Sequence, residues 1–90
     1  MSKKQRQRKQ VIEPVVDRSE DFRHIHIHAR LPGVSEEKIR IYLEKNTLTL
    51  IASDDLKTFR KEMPVPAGSS LCKKTFAAGL LSLTLEKSAG

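Results

Sequence analysis

Apolar and polar residues alternate along this chain in short bursts separated by turn-forming pairs. The clearest burst is residues 22–31, where Ile25, Ile27, Ala29 and Leu31 fall on one face and His24, His26, His28 and Arg30 on the other. Successive side chains of an extended chain point to opposite faces, so this stretch predicts a strand with one buried face. Pro32-Gly33 ends it, because proline removes a ladder donor and glycine permits a sharp turn. Residues 35–38 read as one helical turn capped by Ser35. Ile39, Ile41 and Leu43 then alternate with Arg40, Tyr42 and Glu44. After the turn pair Lys45-Asn46, Leu48 and Leu50 alternate with Thr47 and Thr49. Asparagine tolerates positive φ, so residues 38–52 predict a hairpin.

The flanking segments carry weaker versions of the same signal. Residues 11–16 form a β-prone stretch interrupted by Pro14, which suits an edge or a strand start. Ser19-Glu20-Asp21 reads as a turn and Ser53-Asp54-Asp55 as a polar break. Phe59, Lys61, Met63 and Val65 sit at even spacing. After a loop at residues 66–70, residues 71–76 form a strand with Lys73 and Lys74 inside it. Ala78-Gly79 turns the chain into Leu81, Leu83 and Leu85, which alternate with Ser82 and Thr84. About seven short strands at regular spacing, with no helix of ordinary length, predict an all-β fold: an immunoglobulin-like antiparallel β-sandwich.

Composition narrows this. Ninety residues make one domain with a modest core, and four aromatic residues leave that core to Ile, Leu and Val. No apolar run approaches the roughly 18 residues of a membrane span, and no hydrophobic stretch follows the basic N-terminus. The single cysteine, Cys72, has no internal partner, which points to a reducing cytoplasmic setting. The net charge of +6 is local: residues 3–10 hold five of the 17 basic residues and no acid, leaving 12 basic against 11 acidic residues beyond. Residues 1–11 are therefore expected to be a disordered basic tail, and residues 12–88 the sandwich.

In that order of signals the chain resembles the α-crystallin domain of small heat-shock proteins. The resemblance rests on Ala29-Arg-Leu-Pro-Gly-Val34, on Asn46-Thr-Leu-Thr-Leu50, and on Phe76-Ala-Ala-Gly-Leu-Leu81 running into Ser82-Leu-Thr-Leu85. It covers residues 13–87. The chain departs from the family where Lys74 stands at the signature alanine, five residues before the glycine, and Ala78 at the usual asparagine. Only six residues separate Ala52 from Phe59, too few for the strand that bacterial, plant and archaeal members swap into a partner. The chain stops at Gly90 without an Ile-x-Ile extension, and its N-terminal arm is about 12 residues. The resemblance implies an ATP-independent holdase that binds partly unfolded proteins through exposed sheet edges and apolar grooves. The alternative is an adaptor like the CS-domain co-chaperones, which bind one folded partner. A homodimer is compatible with either.

Four groups are candidates for chemistry. His24, His26 and His28 share a strand face about 6.5 to 7 Å apart, a spacing at which neighbouring imidazoles can chelate a transition metal. The reading taken is a solvated strand face, with no metal and no cofactor. Lys3, Lys4, Arg6, Arg8 and Lys9 offer phosphate-neutralising charge but no stacking aromatic, so nucleic acid is a minor reading. Cys72 has lysine neighbours and no identifiable base, and neither a phosphate loop nor a nucleophile elbow is present, so an enzyme is not expected. The fourth group is strand edge, which accepts an extended segment through main-chain hydrogen bonds. By the resemblance, the edge strands hold Ile39, Ile41 and Leu43 on one side and Leu71, Lys73 and Thr75 on the other. Ile39, Ile41 and Leu43 are equally readable as plain core, and Lys73 as a gatekeeper charge in the groove.

Overall fold

A computed structural model describes residues 10–88 of the chain. The basic residues of the expected tail, Lys3 to Lys9, lie outside them. Eight strands follow one another: β1 (Gln10–Ile12), β2 (Val15–Glu20), β3 (His24–Arg30), β4 (Ile39–Glu44), β5 (Thr47–Ser53), β6 (Lys57–Pro64), β7 (Ser70–Ala77) and β8 (Leu80–Glu86). They form two four-stranded sheets, ordered β1-β6-β5-β4 and β2-β3-β8-β7. The all-β sandwich predicted from periodicity is the fold. No described helix is long and apolar enough to cross a membrane.

The alternation sets the core. Ile25, Ile27, Ala29 and Leu31 are fully buried, and so are Leu48, Leu50, Ala52, Leu81 and Leu85. Burying such a side chain stabilises the fold by about 1.5–3 kcal/mol, so these inward faces dominate the energetics. In the second sheet Ile25, Ile27 and Ala29 stand opposite Leu85, Leu83 and Leu81. In the first, Leu48 and Ala52 stand opposite Met63 and Phe59, all buried. Lys61 breaks that row: it stands opposite Leu50 on the inward side, but its ammonium reaches out to Glu13 at 3.5 Å. A lysine stem can cover apolar surface while its charge stays wet.

Several expectations are corrected. The stretch at residues 11–16 is two strands, because the buried Pro14 falls where the chain leaves one sheet for the other. Proline cannot donate to a ladder, so the break falls there. β1 pairs with β6 in parallel, Gln10 to Lys57 and Ile12 to Phe59, so the sandwich is antiparallel everywhere but at this edge. Within β1, Ile12 packs on the core.

Turn chemistry differs from expectation as well. β2 continues to Glu20, and the turn is made by Asp21, whose Oδ1 accepts from the backbone N–H of Arg23 (2.9 Å) and His24 (2.7 Å). Asp54 repeats this arrangement between β5 and β6, accepting from Leu56 (2.8 Å) and Lys57 (2.7 Å). Ser35 precedes a single 3-10 turn, Glu36–Lys38, without a side-chain cap. The Lys45-Asn46 turn closes without positive φ, since among described non-glycine residues only Ala78 has it, at 52°. With Gly79 at 79°, Ala78 makes a two-residue hairpin of the kind whose twist matches its flanking strands.

Candidate binding edges

β4 and β7 are the terminal strands of their sheets. They lie on the same side of the sandwich. At the opposite side Arg18 of β2 donates to the Pro64 carbonyl of β6 at 2.6 Å, which sets β2 over the β6 end of the other sheet. Two four-stranded sheets stacked that way bring β7 to the side of β4. Each strand there has one row of backbone groups without a ladder partner among the described residues, which is what an incoming extended segment needs.

On β4 the three expected residues share one face. Ile39, Ile41 and Leu43 stand opposite the buried Ala52, Leu50 and Leu48. Ile39 is core, whereas Ile41 and Leu43 are only half-buried against it. An edge strand has a neighbour on one side only, so its inward residues thin out toward solvent.

On β7 the three expected residues are divided. Directly opposed residues of an antiparallel pair share a face. Leu71 stands opposite Leu85, and Lys74 and Phe76 opposite Leu83 and Leu81, so these face inward. Lys73 and Thr75 stand opposite Thr84 and Ser82 and face outward. A register shift between Leu71 and Lys73, a β-bulge that takes up Cys72, reverses the alternation. Leu71 and Phe76 are an odd number of residues apart, so strict period two would put them on opposite faces. The extra residue turns both inward, and Phe76 packs half-buried on the core. The inward charge of β7 is therefore Lys74, whereas Lys73, expected in the groove, faces outward.

The other candidates do not converge. His24 and His26 have ring centroids 6.2 Å apart, His26 Nε2 is 3.4 Å from Asp21, and His28 Nδ1 is 3.0 Å from Ser82 Oγ. His24 Nδ1 also lies 3.7 Å from Asp21, so two imidazoles share that carboxylate while His28 turns to Ser82, and among the described residues no three His, Cys, Asp or Glu side chains gather to hold a metal ion. The exposed Cys72 thiol lies 3.8 Å from Glu86 Oε1. Three carboxyls are held below their usual range. The backbone N–H groups of Arg23 and His24 do this for Asp21, and those of Leu56 and Lys57 for Asp54. Lys87 and then Arg18 do it for Glu20.

No protein-family model matches the chain, and no curated protein matches it closely enough to count. Solved structures do. Heat shock protein 16.0 from Schizosaccharomyces pombe superposes with a TM-score of 0.73 at 22% identity, over 84% of this chain and 87% of that one. A small heat-shock protein from Xylella fastidiosa gives 0.72 at 19% identity, over 86% and 87%. A third, hspA from Xanthomonas axonopodis, gives 0.72 at 18%, over 89% and 96%. The fold is that of the α-crystallin domain. Identity at this level speaks for the fold, and the sequence segments that resembled the family point to the same domain.

Within this α-crystallin-like fold the connection between β5 and β6 is three residues, 54–56, pinched by the Asp54 side chain and by Asp54 N–H donating to the Lys57 carbonyl at 2.9 Å. Lys57 Nζ closes it against Asp54 Oδ2 at 3.1 Å. That turn has no length for an exchanged strand.

Proposed function

We propose that the chain is an ATP-independent holdase domain that captures partly unfolded proteins along the β4–β7 side of its sandwich. What supports this most is the apolar row there: half-covered Ile41 and Leu43 from β4 and Phe76 from β7, with the exposed Leu71 beside them, at strands without an outer partner among the described residues. An unfolded segment gains main-chain hydrogen bonds from the free edge and buries alternate apolar side chains on that row. Binding the unfolded state needs open edge and apolar surface, with neither nucleotide nor catalytic group, and it holds clients by mass action. The free thiol of Cys72 fits a reducing, cytoplasmic setting. The experiment is aggregation of a heated model client. Near-stoichiometric protein suppresses it without ATP; no suppression at several-fold excess refutes the reading.

A second reading has its own observation. The three-residue turn at Asp54 leaves no strand to exchange between subunits, which favours a small module bound to one folded partner. Light scattering coupled to size exclusion, before and after heating, separates the two. A large heterogeneous assembly supports the holdase, and a monomer or dimer that fails to protect clients supports the adaptor. Nucleic-acid binding through Lys3, Lys4, Arg6, Arg8 and Lys9 is a minor third reading, tested by gel shift at low and physiological salt.

A further inference from the structure

Several charges of the second sheet and its flanking turns are answered. Arg18 pairs with Glu20 at 2.9 Å, Lys87 with Glu20 at 3.2 Å and Arg23 with Glu86 at 3.7 Å. Among the described residues no opposite charge pairs with Lys74, nor with Asp17, Arg30 or Lys73, but of these Lys74 alone stands opposite a buried leucine of β8. It is also the residue that the Cys72 bulge rotates to the inward side, opposite Leu83 and between Leu71 and Phe76. Across the open side, the inward residues of β4 are Ile39, Ile41 and Leu43, none of them charged. The row thus combines apolar floor with one unanswered ammonium, which is exposed and anchored on the edge strand itself.

We propose that Lys74 makes this side selective for extended segments in which a carboxylate alternates with apolar residues, so that the preferred occupant is an acidic-apolar strand of an unfolded protein. Period two does the matching. A segment docked along β7 presents every second side chain to the row, with apolar residues on Ile41, Leu43 and Phe76 and an Asp or Glu beside Lys74. A segment with lysine or arginine at that place meets like charge and is rejected, which is how one residue can both attract and exclude. The basic residues 3–9 of the chain itself have the wrong sign to fill the site. Lys73, one residue away on the opposite face, adds only long-range attraction that salt screens.

This inference rests on the docking reading above, and the test separates the two. Fluorescein-labelled ten-residue peptides of alternating apolar and polar residues, identical except for Glu, Gln or Lys at one inward position, are titrated into the protein and followed by anisotropy. The Glu peptide binds about three- to fivefold more tightly than the Gln peptide, the range of a partly exposed ion pair, and the Lys peptide more weakly still. Lys74→Gln removes the preference, Lys74→Glu inverts it, and Lys73→Gln leaves it in place. Both positions are solvent-accessible enough for the three variants to fold, which their melting curves check. Equal binding of the three peptides, or a preference that survives in Lys74→Gln, overturns the selectivity while docking stands. No binding of any peptide overturns both. Loss of peptide binding as the protein is concentrated into dimers would show a second copy closing this side, and would also overturn the proposal.

Discussion

Replacing Ile27 and Ile41 separately with alanine measures whether the β4–β7 side is built for binding or for stability. Both changes delete the same three carbons. Ile27 is fully buried in β3, between Arg18 of β2 and Leu83 of β8. At about 0.8 kcal/mol per carbon the transfer loss is roughly 2.4 kcal/mol. The enclosed cavity raises this to about 3–4 kcal/mol. Ile41 is half-buried on an edge strand, so about half of the transfer loss applies and no closed cavity forms, a cost of about 1 kcal/mol. In a domain of this size each kcal/mol lowers Tm by about 4–8 °C. Ile27→Ala should therefore melt roughly 12–30 °C below the parent, and Ile41→Ala about 4–8 °C below. Urea unfolding at 25 °C gives the free energies. Protection is then measured on a client that aggregates on reduction at 25 °C, where the Ile41→Ala domain is folded. That variant should protect less well than the parent in spite of its small stability loss. Equal destabilisation by the two substitutions would refute the distinction between core and edge, and undiminished protection by folded Ile41→Ala would take β4 out of the binding surface.

Two further outcomes follow from the turns. Ala78 sits at φ 52°, where a Cβ costs about 1–2 kcal/mol and asparagine is better tolerated, so Ala78→Asn should raise Tm by several degrees; a lowered Tm contradicts this. Asp21, Asp54 and Glu20 have depressed folded-state values, so the unfolded chain takes up their protons first as pH falls. Their stabilisation is complete above the ordinary carboxylate range and drains away as pH drops through the folded values. An Asp21→Asn, Asp54→Asn double variant, which keeps an acceptor at both turns, should lose Tm less steeply than the parent between roughly pH 5 and 2.5; parallel profiles would refute it.

Much of the fold was legible because one sandwich face is buried everywhere. A one-residue slip would turn Ile25, Ile27, Ala29 and Leu31 to solvent, so the register is written into the alternation. The hairpin of β4 and β5 and the leucine row of β8 were readable for the same reason. Turn details were less so: Asn46 can adopt positive φ but does not, while Ala78 does. Both choices are set by the strands being joined. The short gap after Ala52 carried real information, since it becomes the closed Asp54 turn.

The candidate edges divide along the same line. By itself the sequence determined which residues of each strand lie together, because that depends only on the two-residue repeat of an extended chain. It could not say whether Ile39, Ile41 and Leu43 were enclosed core or open edge, since a central strand and a terminal one can carry the same pattern. Sheet order decided that, leaving Ile41 and Leu43 half-covered on the last strand. Nor did local alternation place Lys74 inward. That followed from pairing with β8, where Leu71 and Phe76 stand opposite Leu85 and Leu81 only if Cys72 is taken up as a bulge. Periodicity is a property of one strand, whereas edge and register are properties of its neighbours, and the binding surface proposed here depends on both.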